Sequence, residues 1–112
     1  MKRVLLDENL DRRLKNYFSV EFDVTSVPNL GWQSKKNGEL LSAMDAAGIT
    51  YLLTADRNLQ FQQNLDKYTV VLVVVATQDT RLKNLAPLVS TIEAAVTGAQ
   101  TTEKIILVDL RK

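Results

Sequence analysis

A chain of 112 residues, 46% hydrophobic and 24% charged, can bury one core and has the composition of an ordinary globular domain, so disorder is not indicated and a single domain over 1–112 is expected. The 14 basic and 13 acidic residues leave a net charge of +1, so no global basic field announces a nucleic-acid partner. Cys and His are both absent, which removes disulfides, thiolate and imidazole metal sites, and Ser-His-Asp or Cys-His catalysis.

Any chemistry must therefore run on carboxylates, Lys, Arg, Tyr or Ser/Thr. Met1-Lys2-Arg3 is followed by only three apolar residues before an acid, too few for a signal peptide. The longest apolar run, Val70 to Ala76, falls far short of the roughly 20 residues of a membrane span. A soluble cytoplasmic protein without a membrane partner is expected.

In chain order, Val4-Leu5-Leu6 runs straight into Asp7-Glu8, the pattern of a buried parallel strand that delivers acids to the carboxyl edge of an open α/β sheet. Leu10, Leu14 and Phe18 then recur at helical spacing, predicting an amphipathic helix from about Asn9 to Ser19. Phe22 to Ser26 reads as a short strand closed off by Pro28 and Gly31, with a loop from Trp32 to Lys36. Asn37 is the expected N-cap of a second helix that carries Glu39 in its first turn and ends at Gly48.

Ile49 to Thr54 is the third strand, and Asp56 is expected to cap a short helix through about Leu65, with Leu59 and Phe61 available for packing. Val70 to Val75, apolar on both faces, predicts a central strand. Arg81 to about Thr97 reads as a long helix that Pro87 should kink or restart, stopped by Gly98. Lys104 to Asp109 is the last strand. Alternating β and α segments joined by right-handed crossovers predict a three-layer α/β/α sandwich with a mainly parallel five-stranded sheet.

This topology can bring Asp7, Glu39 and Asp56 to one edge. Clustered carboxylates repel one another unless a cation joins them, and Mg²⁺ or Mn²⁺, which takes oxygen ligands and often only one or two carboxylates, is the natural remedy. Such a site supports phosphodiester hydrolysis without His or Cys. Each acid also has a plainer reading: Asp7 as a strand-end cap, Glu39 as complement to a helix dipole, Asp56 as an N-cap. Arg12, Arg13 and Lys15 can hold phosphates or form a solvated helix face, and Trp32 can stack on a base or cover a sheet edge.

Three segments, Leu5-Leu6-Asp7-Glu8-Asn9-Leu10, Gly38-Glu39-Leu40-Leu41 and Leu53-Thr54-Ala55-Asp56-Arg57-Asn58, resemble the stand-alone bacterial PIN-like domains related to VapC-type toxins and Mut7-C-like nucleases. The resemblance spans roughly the first three quarters of the chain. It implies a PIN-like fold and a metal-dependent endoribonuclease, the toxin of a toxin-antitoxin pair. Its implied partners are RNA, a cognate antitoxin protein and a second copy in a homodimer.

It further implies catalytic and metal-binding roles for Asp7, Glu39 and Asp56, with Asn58 as a neutral oxygen ligand, and substrate contacts for Glu8, Asn9, Arg12 and Arg57. The chain departs from the pattern at Lys36-Asn37, where the family often has Ser-Asp, and at Asn58, where it usually has a second Asp. Both put Asn where an acid is usual, so a catalytically degenerate PIN-fold binding module is the alternative. A phosphoacceptor receiver domain, with Asp56 as acceptor and Thr77 after the fourth strand, is a further one.

Overall fold

Short β-compatible runs form strands, and five of them build the centre of the domain. The computed structural model describes residues 1–58, 64–99 and 102–111. Strands β1 (Lys2–Leu6), β2 (Phe22–Ser26), β3 (Tyr51–Thr54), β4 (Val71–Ala76) and β5 (Ile105–Asp109) form one sheet in the order β2-β1-β3-β4-β5, with every neighbouring pair parallel. The α/β class expected from sequence is therefore observed, with a sheet that is wholly rather than mainly parallel.

Strict alternation splits the core in two. Val4, Leu6, Leu53, Val73, Val75, Ile106 and Val108 face one side, where they meet Leu10 from the turn after β1, Leu14 from a 3-10 helix (Arg12–Tyr17), and Leu85, Val89, Ile92 and Val96 from helices α3 (Leu82–Leu85) and α4 (Val89–Gly98). Leu5, Leu52, Leu72 and Val74 face the other, under Val27 of helix α1 (Val27–Leu30), Leu40, Leu41 and Met44 of helix α2 (Asn37–Ala47) and Leu65. Among the described residues no helix is long and apolar enough to cross a membrane.

Several elements differ from the sequence reading. The first helix keeps its predicted apolar face but is a 3-10 segment that begins only at Arg12, because the Asp11 carboxylate accepts from the Arg13 N–H at 2.9 Å and starts the helix there. Lys36, not Asn37, stands at the N-cap of α2, where its N–H is taken by the Glu39 carboxylate at 3.3 Å. Gly48 ends α2 in the left-handed region at φ 73°. The expected long helix is interrupted by a 3-10 turn (Ala86–Leu88) around Pro87, the restart that a ring without an N–H imposes. Most of the helix expected over 56–65, with Leu59 and Phe61, lies outside the described residues.

The crossovers depart further. The β1–β2 connection steps one way along the sheet over the first face, while β2–β3 and the described part of β3–β4 step the other way over the second, so these three share one hand. The β4–β5 connection steps in the same direction as β3–β4 yet carries α3 and α4 over the first face, so its hand is opposite. One consequence is visible in β5: on the second face Ile105 and Leu107 are 36% and 58% exposed.

Candidate active site at the carboxyl edge

In a sheet of order 2-1-3-4-5 the connections leaving β1 and β3 pass over opposite faces, which opens a crevice between the carboxyl ends of those two strands. Asp7 and Thr54 stand at its two sides. The Asp7 N–H donates to the Leu53 carbonyl at 2.9 Å, which prolongs the β1–β3 ladder by one rung and fixes where the side chain emerges.

Thr54 is completely buried, and its hydroxyl is the hub of the crevice. It donates to Asp7 Oδ2 at 2.8 Å and accepts from Asn9 Nδ2 at 3.2 Å and from the Asp56 N–H at 3.0 Å. One donor and two lone pairs are all a hydroxyl has, so it is saturated. Asn9 also closes onto β3 through its Oδ1, which accepts from the Ala55 N–H at 3.3 Å. The other Asp7 oxygen, Oδ1, accepts from the Glu8 N–H at 2.9 Å. A half-buried carboxylate is thereby held in a single orientation at the switch point of the sheet, with lone pairs left for a further ligand.

The remaining acids are less closely engaged. Asp56 is half-buried two residues past β3, and its Oδ1 accepts from the Asn58 N–H at 3.0 Å. Glu39 lies on the same rim, because α2 runs antiparallel to the strands, but its side chain is exposed and caps Lys36. Among the described residues no three acidic side chains gather around one point, so the three-carboxylate cluster is not preassembled. The donor set on hand is Asp7 with Asp56 nearby, which fits a hard cation that completes its shell with water and substrate phosphate and does not fit an all-protein cage. Glu8, Arg12, Arg57 and Asn58 are exposed around the crevice. Trp32 is elsewhere: half-buried, it packs against the second core and lines a small cavity with Arg3, Asp23 and Ala47.

The rest of the rim carries a repeated device that the sequence reading missed. In Asp11-Arg12-Arg13, Asp79-Thr80-Arg81 and Asp109-Leu110-Arg111 the Asp accepts from the N–H two residues on and is clasped by that residue's guanidinium, with Nη2 to Oδ2 distances of 2.7, 2.7 and 2.8 Å. Hydrogen bonds from the Arg side chain, then its backbone, lower the pKa of each of these carboxyls to about 2. The positive charge of Arg57, in the loop after β3, lowers it further at Asp109 by a smaller Coulombic contribution.

Thr54 was the other omission. The detectable signal was a hydroxyl in the last position of an otherwise apolar central strand, where a buried polar atom must find partners. Set against known proteins, the chain matches no family model, no curated protein and no solved structure.

Proposed function

We propose that the crevice between β1 and β3 is the active site of a metal-dependent endoribonuclease, with Asp7 as its central ligand. The observation that carries this reading is the fixed Asp7 carboxylate at the switch point, oriented by Thr54 and the Glu8 N–H. Asp56, on the same hydroxyl through its backbone, is the second carboxylate, and Asn58 and Glu39 stand further out on the rim.

A bound Mg²⁺ or Mn²⁺ would lower the pKa of water and offset phosphate charge during P–O cleavage. Asp7 and Asp56 hold the reacting region in place, and Arg12 and Arg57 supply exposed positive charge for the neighbouring phosphates. The PIN-like resemblance supports a toxin-antitoxin setting in the cytoplasm, with a cognate antitoxin protein and a homodimer.

The receiver alternative gains from the strand order, which doubly wound receivers share. It loses at Thr77, whose hydroxyl is spent within its own turn, donating to the Asp79 carbonyl and accepting from the Asp79 N–H, both at 3.2 Å.

The test is a titration of Mn²⁺ into wild type and Asp7→Asn, followed by calorimetry and by cleavage of a mixed RNA pool. Metal uptake and cleavage should disappear together in the variant while its melting curve stays cooperative. A wild type that takes up no metal at millimolar concentration overturns the nuclease and leaves a PIN-shaped binding module.

A further inference from the structure

A second concavity opens on the same rim, beyond the last rung between β4 and β5, where Ala76 pairs with Asp109 and the Leu110 N–H donates to the Ala76 carbonyl at 2.8 Å. Its volume, about 430 Å³, lies in the range of small-ligand sites. Thr77 and Asn84 form its polar wall, Leu88 and Leu110 its apolar one, and Lys83 and Arg111 stand at its mouth.

The charges around this cleft are arranged rather than merely present. Asp79 is neutralised by Arg81 and Asp109 by Arg111, while Lys83 enters no direct ion pair among the described residues. Three basic side chains, Lys83, Arg81 and Arg111, thus stand at or beside the cleft against the two acids Asp79 and Asp109, and the surplus charge is that of Lys83. The guanidinium of Arg111 gives Nε and one Nη2 hydrogen to Asp109 and retains further N–H donors. Asn84 is held by the Asp79 carbonyl, 2.6 Å from its Nδ2, so the polar wall is rigid.

We propose that this cleft binds a nucleotide and its phosphate, with Lys83 and Arg111 taking the phosphate and Leu88 and Leu110 the ring. The cleft's size and charge call for that ligand by themselves. Its source, a single-stranded RNA lying along the rim, rests on the nuclease reading above. With parallel strands about 4.8 Å apart, the cleft lies two to three strands from Asp7, roughly 10 to 14 Å along the edge. It is a binding site beside the reacting one.

The experiment uses metal-free buffer with EDTA, so that binding is separated from cleavage, and a short fluorescein-labelled single-stranded RNA read by anisotropy, with UMP as competitor. Wild type should bind and Lys67→Ala, which removes an exposed positive charge just ahead of β4 at the opposite edge of the sheet, should match it. Lys83→Ala/Arg111→Ala should weaken binding about tenfold or more and lower the salt slope by about 1 to 2. Both side chains are exposed, and Lys83→Glu, a single surface change expected to weaken binding at least as much as loss of Lys83 alone, guards against a folding artefact.

Competition by UMP at concentrations comparable to the RNA, with the same dependence on Lys83 and Arg111, supports the subsite and makes a free nucleotide its source. A double variant that binds like wild type, or no binding of either probe, overturns the proposal. Cleft-dependent binding without metal-dependent cleavage retains the cleft and removes the nuclease.

Discussion

The two halves of the carboxyl rim hold their aspartates by opposite means. Over β1 and β3 the Asp7 carboxylate is fixed by a buried neutral hydroxyl and a backbone N–H, which orient it and leave its charge uncompensated. Over β4 and β5, Asp79 and Asp109 are clasped by exposed arginines, which cancel their charge in place. An aspartate at a strand end is thus a potential ligand or a local tether according to whether a cation of its own chain already holds it.

The largest effect on this contrast should come from Thr54→Val. It keeps the shape of the strand end but strands Asp7 Oδ2, the Asp56 N–H and the Asn9 amide at once. A loss of about 2 kcal/mol in urea unfolding is expected, reduced from the sum of three stranded groups because water reaches part of the rim. Cleavage should fall with it, whereas Thr54→Ser, which retains the hydroxyl, should recover most of both. A Val variant as stable as wild type would mean that the hydroxyl does not organise the crevice.

A smaller effect belongs to the other half. Asp79→Ala frees Arg81 and adds positive charge beside the cleft, so RNA affinity should rise severalfold at low salt and return to the wild-type value at high salt, with only a small fall in the unfolding midpoint. Anisotropy over a salt series reads this directly.

The smallest effect is in the pH response of the clasped carboxyls. Each has a folded-state pKa of about 2 against the ordinary carboxyl value of 3.8, so their contribution is fully present above about 3.8 and is lost as pH falls toward 2. The urea midpoints of wild type and of an Asp11→Asn/Asp79→Asn/Asp109→Asn variant should differ by a constant amount from pH 7 to 4 and converge between pH 4 and 2. A difference that already changes between pH 7 and 5 would assign the pH response to other groups.

The strands were legible because β1, β3, β4 and β5 carry continuous apolar stretches bounded by polar or turn residues, while β2 alternates and stops before Pro28: Phe22–Ser26 was placed to the residue and β4 within one. Pro87 announced the break between α3 and α4. The N-terminal helix was legible in its buried Leu10 and Leu14 but not in its start or winding, since Leu10 sits in the turn before the helix and only Leu14 is buried within it. Asp7 was legible as the end of a hydrophobic climb. Thr54 was not, because a threonine in a strand is ordinary until its neighbours across the sheet are known. The reversed β4–β5 crossover has no local signature at all: Ile105 and Leu107 look like core residues in one dimension and prove exposed only once the helices have taken their side.

That reversed crossover also bears on how the molecule comes apart. By laying α4 on the same face as the first 3-10 helix, it joins Leu10 and Leu14 to Val89, Ile92 and Val96 in one core, and the Ser19 N–H donates to Glu93 Oε2 at 2.6 Å across the seam. The beginning and the last third of the chain thus complete a layer that neither can complete alone. Unfolding should therefore be a single cooperative event, with the same midpoint by far-UV circular dichroism and by Trp32 fluorescence, and folding should wait on contacts between distant parts of the sequence.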